Sequence, residues 1–403
     1  MLPRLAILVS HPIQYYAPLF KTLAATGEVH VKVFYSWGEQ SMGDKFDHGF
    51  GKKFNWDIPL LDGYEYEFLK NDSADPGVHH FRGIKNPDLI SRVESFKPDA
   101  ILVFGWSFVS HLKALRYFKN RIPVYFRGDS TFLDATGGWK ELIRTVFLRW
   151  VYSHVDLAFV VGKDNEEYYR RVGMKKSQLV YAPHAIDNDR FSEPDELYTR
   201  QALELRQSLA ISETDFVFLF CGKLEEKKNP LLLLRAFKNL SAGENFHLVF
   251  TGEGPLKASL IDEAKGLEAV HFLPLQNQQL MPAVYRMGDV FVLPSQGPGE
   301  TWGLAVNEAM ASSRAVVVSN KCGCAADLLE EESNGFVFQS GNQDDLLSKL
   351  KRFAEDRTLA KKMGKAGRKK IAAFSYERIC ETILSTIKMT SAQARSGRPV
   401  KSL

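Results

Sequence analysis

The residues best suited to chemistry lie in Pro294-Ser295-Gln296-Gly297-Pro298-Gly299-Glu300-Thr301-Trp302-Gly303-Leu304-Ala305-Val306-Asn307-Glu308. An apolar run ends at Pro294, a glycine-containing loop follows, and a helix is expected to begin near Thr301 or Gly303. A helix start presents unpaired N–H groups and partial positive charge, which suits a diphosphate. Seven residues separate Glu300 from Glu308, and the neighbours of Glu308 (Leu304, Ala305, Val306, Ala309, Met310, Ala311) are apolar nearly all round. Such a helix is buried, and a carboxylate on it needs hydrogen-bond donors. A ribose diol supplies two; a surface gap or a lysine partner is the alternative. A second constellation, Cys221-Gly222-Lys223-Leu224-Glu225-Glu226-Lys227-Lys228-Asn229-Pro230, follows another apolar run. Its lysines Lys223, Lys227 and Lys228 stand just beyond that run, where cations can meet an anionic group. A solvated basic turn is the competing reading. Thr251-Gly252-Glu253-Gly254-Pro255 gives the first half of a G-x-G-x-x-G turn, but Lys257 takes the place of the third glycine. No convincing acid stands at a strand end about 20 residues on, so a dinucleotide site is disfavoured.

These groups need elements to hold them. Short apolar runs recur at 5–10, 31–35, 100–104, 124–126, 157–161 and 179–181, with helical stretches between. Runs rich in Val, Ile and Phe without polar alternation read as parallel strands covered on both faces. After Pro194 comes a charged helical stretch. The pattern then restarts at 216–221, 247–251, 270–273, 290–293, 315–319 and 336–338. The expected fold is therefore α/β, two doubly wound Rossmann-like domains. Their boundaries are placed at 1–195 and 196–375, with 376–403 as a last helix and basic tail. In open α/β sheets ligands bind outside the carboxyl ends of the strands, so two such sheets with those edges facing across a cleft would serve a two-substrate enzyme.

Composition narrows the class. A chain of 403 residues exceeds the length at which one core stops growing, about 250–300 residues. Its 45% apolar and 25% charged residues are those of an ordinary globular protein. A net charge of +4 is too small for a nucleic-acid footprint. Lys113–Arg149 and Lys388–Lys401 lean basic, which reads as solvated faces or as a weak peripheral attraction to an anionic membrane. The stretch from Trp139 to Trp150 reads as a core helix, with membrane contact as its alternative. Cys221, Cys322, Cys324 and Cys380 lack zinc spacing and suit buried thiols in a reducing compartment. The first apolar run is too short for a signal peptide, and no stretch suffices to span a bilayer.

Glu300 and Glu308, with Gly303-Leu304 between and Ala309-Met310 after, resemble the E-x7-E motif of glycosyltransferase family 4, the retaining GT-B sugar transferases. The resemblance implies that Glu300 contacts the donor hexose, that Glu308 holds the ribose, and that the Gly303 and Leu304 amides face the phosphates. Gly222-Lys223-Leu224 through Lys228 resembles the family's G-R-L-x-x-x-K-G segment, with Lys223 at the Arg position and Lys228 at the Lys position. Lys for Arg keeps the charge and loses the bidentate fork. Gly252-Glu253-Gly254-Pro255 matches a G-x-G-P turn, Asp327 stands where the family has Glu, and Gly335 matches a turn glycine. Ala182–Phe191 resembles P-N-G-V-D-x-x-x-F with His184 for Asn and Ala185 for Gly. Within it Asp187-Asn188-Asp189 imitates a D-x-D metal motif but falls on that turn, so it reads as structural. The resemblance spans about 155–385 and is strongest from Phe216 to Phe338.

The first half departs from the family. Ser10-His11-Pro12-Ile13-Gln14-Tyr15-Tyr16 replaces its glycine-rich loop, and Phe126-Arg127-Gly128-Asp129-Ser130 stands where many members carry an acceptor-side His. His11, Gln14, Arg127 and Asp129 are candidate acceptor contacts, with a packed or surface histidine as the alternative for His11. Asp129, with Arg127 beside it, is a candidate base for the acceptor hydroxyl, or a helix cap. The resemblance implies a hexosyltransferase of surface polysaccharide biosynthesis. It would use a UDP- or GDP-sugar as substrate, with Glu300 and Lys228 in the catalytic roles, no essential metal and no cofactor. The acceptor would be a glycan or lipid-linked glycan. The expected location is cytoplasmic, including the inner face of the membrane. A nucleotide-sugar epimerase on the same architecture and a non-catalytic sugar-nucleotide-binding protein are the rivals.

Overall fold

The computed structural model of the chain describes residues 2–42, 45–47, 52–54, 56–135, 137–192, 195–240 and 245–395. Pro194, beside the expected domain boundary, and residues 396–403 of the basic tail lie outside the described residues. In chain order the first strands are β1 Arg4–Val9, β2 His30–Tyr35, β3 Lys45–Asp47, β4 Lys52–Phe54, β5 Glu65–Phe68, β6 Ala100–Phe104, β7 Val124–Arg127, β8 Leu157–Val160 and β9 Leu179–Tyr181. The series resumes with β10 Phe216–Cys221, β11 Phe246–Thr251, β12 Val270–Leu273, β13 Val290–Leu293, β14 Ala315–Ser319 and β15 Gly335–Phe338. A seven-stranded sheet has the order β5-β2-β1-β6-β7-β8-β9 and a six-stranded one the order β12-β11-β10-β13-β14-β15. Every ladder in both is parallel; β3 and β4 make a separate antiparallel pair. The expected doubly wound pattern is what forms.

The chain divides into two compact units, one of Met1–Gly43, Pro59–Pro183 and Tyr376–Leu403, the other of Asp44–Ile58 and His184–Ser375. The division falls at Pro183 and not at residue 195, because the segment after it packs on the second sheet's helices. The His184 ring lies 5.4 Å from Trp302 and the Phe191 ring 5.9 Å from Tyr285. Asn188 Nδ2 donates to the carbonyls of Ile371 and Phe374 at 3.3 and 3.1 Å. Within this turn Asp187 Oδ1 accepts the Arg190 amide at 3.0 Å, so the D-x-D lookalike caps a short helix.

In the first unit β6, β7 and β8 are buried along their length and β1 from Leu5 onward, and the Tyr376–Arg395 helix packs beside the Ala17–Ala25 helix. Between β7 and β8 runs the Trp139–Tyr152 helix, which buries Leu148, Val151 and Tyr152. Its other apolar residues are exposed, with Phe147 and Trp150 partly covered by the Trp106 and His154 rings, which corrects the core-helix reading. Under the strand ends, His111 is fully buried, with Nδ1 3.0 Å from the Gly105 carbonyl and Nε2 2.8 Å from Ser36 Oγ. Burial pushes its pKa down to about 4. In the second unit Phe216, Phe218 and Phe220 on β10 face a core that includes Leu233, Phe250, Val292 and Phe336. Arg206, on the charged Asp195–Ser208 helix, ties the strand starts together, donating to Met287 O and Asp289 Oδ2 at 2.8 and 2.9 Å.

Candidate active site

The second sheet reverses its winding between β10 and β13, the adjacent strands from which the chain runs to opposite edges. A crevice opens at such a switch point, at the carboxyl ends of the strands. Both charged loops of the sequence emerge there. After β10 the chain passes Gly222 at φ 152° and then Lys223, and Leu224 N donates to Glu253 O at 2.9 Å. The loop after β11 lies almost against it. A Cβ on Gly252 would stand 2.0 Å from Gly222 O, and one on Gly254 would stand 2.5 Å from Leu224 O. The glycines of the G-x-G-P turn are thus required by contact between two strand-end loops. Lys257, at the place of a third glycine, pairs with Glu253 at 2.9 Å.

Lys228 closes the first loop and meets the second. Its Nζ lies 2.5 Å from Glu300 Oε2, with side-chain exposures of only 16% and 7%. Ser295 Oγ donates to the same carboxylate oxygen at 2.9 Å. Several bonds hold the two loops in register. Lys227 Nζ donates to Gly299 O at 3.1 Å, Gln296 N to Lys227 O at 2.9 Å, and Asn229 Nδ2 to Gln296 Oε1 at 3.1 Å. A third loop supports the second: Gly323 N donates to Glu300 O at 3.0 Å, and a Cβ on Gly323 would be 1.9 Å from Thr301 O.

The next helix runs Leu304–Ala311, with Gly303 as its left-handed cap at φ 98°. It begins at the later of the two expected points. Glu308 is buried on it, and its Oε2 accepts the Tyr285 hydroxyl at 2.7 Å. One of the donors that the carboxylate needs is therefore supplied by the protein. Burial, with the Glu308 carboxylate nearby, pushes the Cys221 thiol up to about 12. Trp302 Nε1 donates to Asn307 Oδ1 at 2.9 Å, which fixes the turn into the helix.

Lys228 and Glu300 are brought into contact. Gly222, Lys223 and Gly254 lie just beyond the ends of β10 and β11, while Gly303 and Leu304 begin the helix that follows the β13 loop and Glu308 sits on that helix. Ser295 and Tyr285 were not singled out in the sequence. Ser295 stood inside the motif segment without a signal of its own, and Tyr285 comes from the separate Met281–Met287 helix. The arrangement sets a cation and a carboxylate side by side at a switch point, with a helix start adjoining. That suits an anionic group joined to a polyhydroxylated one.

The first sheet switches between β1 and β6. His11 follows β1, with Nδ1 2.9 Å from Ser10 Oγ and its ring edge-on to Trp37 at 5.3 Å. Gln14 sits half-buried in the turn before the Ala17–Ala25 helix. Arg127 is buried and donates to the carbonyls of Ala182 and Pro183 at 2.8 and 2.9 Å. Its guanidinium thereby braces the chain just beyond the end of β9. Asp129 is half-buried two residues beyond β7, and burial together with Asp129 holds the Tyr16 hydroxyl above the usual tyrosine range. In the second unit a cavity of about 840 Å³ lies at the opposite, amino-terminal edge, lined by Asp215, Asp289, Arg314 and Lys365 among others. Among the described residues one group has the reach for a metal ion: Asp75, His79 and His80, in the first unit.

Two doubly wound parallel sheets, the second carrying a paired Lys and Glu at its switch point, define a two-domain nucleotide-fold protein. Residues 201–370 match the family model of the glycosyl transferases group 1. The chain is 28% identical over 308 residues to a sulfoquinovosyl transferase of Arabidopsis thaliana, covering 72% of this chain and 56% of that protein. A lipopolysaccharide 1,2-N-acetylglucosaminetransferase of Salmonella typhimurium is 27% identical, with 48% and 54% covered. The chain thus spans little more than half the length of these relatives. Among solved structures, sucrose-phosphate synthase from Thermosynechococcus elongatus superposes with a TM-score of 0.72 at 18% identity, covering 97% of this chain and 99% of that one. Anabaena HepE in complex with UDP and glucose superposes at 0.68 and 16% identity, covering 96% and 100%. At these identities the likeness is one of fold, and the fold is GT-B.

Proposed function

We propose that the protein is a retaining glycosyltransferase that moves a hexose from a UDP- or GDP-sugar to a glycan or lipid-linked glycan acceptor in surface polysaccharide biosynthesis. The second unit takes the donor and the first the acceptor. The reading is carried by the contact of Lys228 with Glu300 at the β10/β13 switch point. Lys228, with Lys223, neutralises the charge that grows on the leaving diphosphate. Glu300, held by Ser295, accepts hydrogen bonds from hexose hydroxyls, while the Gly303 and Leu304 amides add donors at the helix start. Glu308, steadied by Tyr285, takes the ribose. These groups supply the charge stabilisation without a metal, and the nucleotide-sugar is a substrate, not a cofactor. On the acceptor side we assign His11, Gln14 and Asp129, with Asp129 placed to accept the proton of the attacking hydroxyl. The proposed location is cytoplasmic, at the inner face of the membrane. Among the described residues no helix is long and apolar enough to cross a membrane. The names of two relatives support this acceptor class: one is a transferase of lipopolysaccharide, and another, of Escherichia coli, acts on a sugar-diphosphoundecaprenol. The test is a screen of UDP- and GDP-sugars read by release of free nucleotide. Release from one donor, raised by a lipid-linked glycan, is expected. Isomerised donor without release would favour an epimerase, and tight binding without turnover a non-catalytic protein.

A further inference from the structure

The Trp139–Tyr152 helix of the first unit exposes Trp139 (69%), Leu142 (67%), Ile143 (60%), Val146 (59%), Phe147 (42%) and Trp150 (42%). These positions recur every third or fourth residue, so they form one continuous stripe, opposite the Leu148, Val151 and Tyr152 face that enters the core. They place on the order of 600 Å² of apolar surface in water, the upper end of what a monomer's largest patch shows. Cations border the stripe on both sides, Lys140 and Arg144 along one flank and Arg149 along the other. Arg116 lies over the Trp150 ring at 5.6 Å. The helix's one acid, Glu141, is turned inward, accepting the Gly137 amide at 2.8 Å and facing Arg171. At the amino-terminal end a hollow of about 320 Å³ is lined by Trp139, Lys140 and Arg144, together with Asp134 and Glu141.

We infer that this helix docks the protein on an anionic bilayer, lying in the interface with its stripe among the acyl chains and its flanking cations among the headgroup phosphates. Tryptophans at both ends of the stripe suit the headgroup level, and an apolar face bordered by basic residues is the pattern of an in-plane helix. A second copy of the chain is a poorer occupant, since a two-fold contact through this face would set its cations against their own counterparts. The helix directly follows the loop that carries Asp129. The docking therefore deepens the lipid-linked acceptor reading, on which it rests for its purpose, by placing the acceptor-side loop at the membrane that holds the substrate.

The test is co-sedimentation of the full chain with phosphatidylcholine vesicles, with and without phosphatidylglycerol, in the absence of any sugar donor. The outcome is thus separate from that of the transferase assay. Binding to the phosphatidylglycerol vesicles, weakened by salt, is expected. Ile143→Asp, at an exposed position, is expected to lower partitioning at least tenfold with an unchanged melting temperature. Lys140→Glu with Arg144→Glu is expected to lower it about tenfold on the anionic vesicles alone. The proposal is overturned if the wild-type chain stays in solution with both vesicles, or if Ile143→Asp binds as the wild type does. It is also overturned if light scattering shows a dimer that Ile143→Asp splits while vesicles capture neither form.

Discussion

Replacing Lys228 by Met separates what the ion pair does for the fold from what it does for the reaction. Glu300 is 7% exposed and takes its hydrogen bonds on Oε2 from Lys228 at 2.5 Å and Ser295 at 2.9 Å. Lys228→Met leaves a buried carboxylate without its cation, a change that costs about 3–5 kcal/mol when one partner of a buried pair is removed. At about 2–4 °C per kcal/mol for a unit of this size, the second unit's melting midpoint should fall on the order of 6–20 °C. Lys228→Met combined with Glu300→Gln removes both charges, so most of that loss should return, since a neutral pair carries little of the desolvation cost. Turnover should not return. Loss of the cation facing a leaving diphosphate should lower it by roughly 10²–10³, the scale seen when one stabilising group is removed. Calorimetric melts of the wild type, both single variants and the double variant, each beside nucleotide release, make the measurement. A Lys228→Met chain that melts with the wild type, or a double variant no more stable than Lys228→Met alone, would refute the argument that this pair is buried and mutually dependent.

Three further outcomes are expected. Glu300→Ala should chiefly lower turnover at saturating donor with little change in nucleotide affinity; an equal loss in both would move Glu300 out of its hexose role. Gly254→Ala forces a Cβ to 2.5 Å from Leu224 O at φ 155°, so it should destabilise the second unit by more than 1 kcal/mol, read by urea unfolding, whereas Gly266→Ala, with nothing near its Cβ, should cost less. His111 has a folded pKa of about 4, below its unfolded value, so its neutral form stabilises the first unit fully above the unfolded pKa, and that contribution is lost as pH falls toward 4. His111→Gln should flatten the pH dependence of the first unit's melting across that window by about 2–4 kcal/mol, and an unchanged slope would show that another group sets it.

The strands that hold the site were legible because they are covered on both faces, so Phe216–Cys221 and Val290–Leu293 carry no polar alternation. Glu65–Phe68 escaped notice for the opposite reason: it is an edge strand, half polar, and its partner lies on one side only. The Trp139–Tyr152 helix was recognisable as a helix but not as an exposed one. It is apolar on two opposite faces, and only packing decides which of them the core takes. The boundary slipped because Pro194 punctuates the sequence more strongly than Pro183, while His184–Phe191 had already joined the second unit. Arg127 showed only its charge in the sequence. The carbonyls of Ala182 and Pro183 that occupy it lie on another strand's end. Ser295 and Tyr285 belong with Arg127, since their partners are defined by folding and not by local spacing.

The most direct measurement is isothermal titration of UDP and GDP into the wild-type chain and into Glu308→Ala. One of the two nucleotides should bind the wild type, and Glu308→Ala should weaken that binding by at least tenfold, the scale of a charge-assisted hydrogen bond. Equal affinity in the two chains, or no binding of either nucleotide to the wild type, would contradict a donor site built around Glu308 and the Lys228–Glu300 pair.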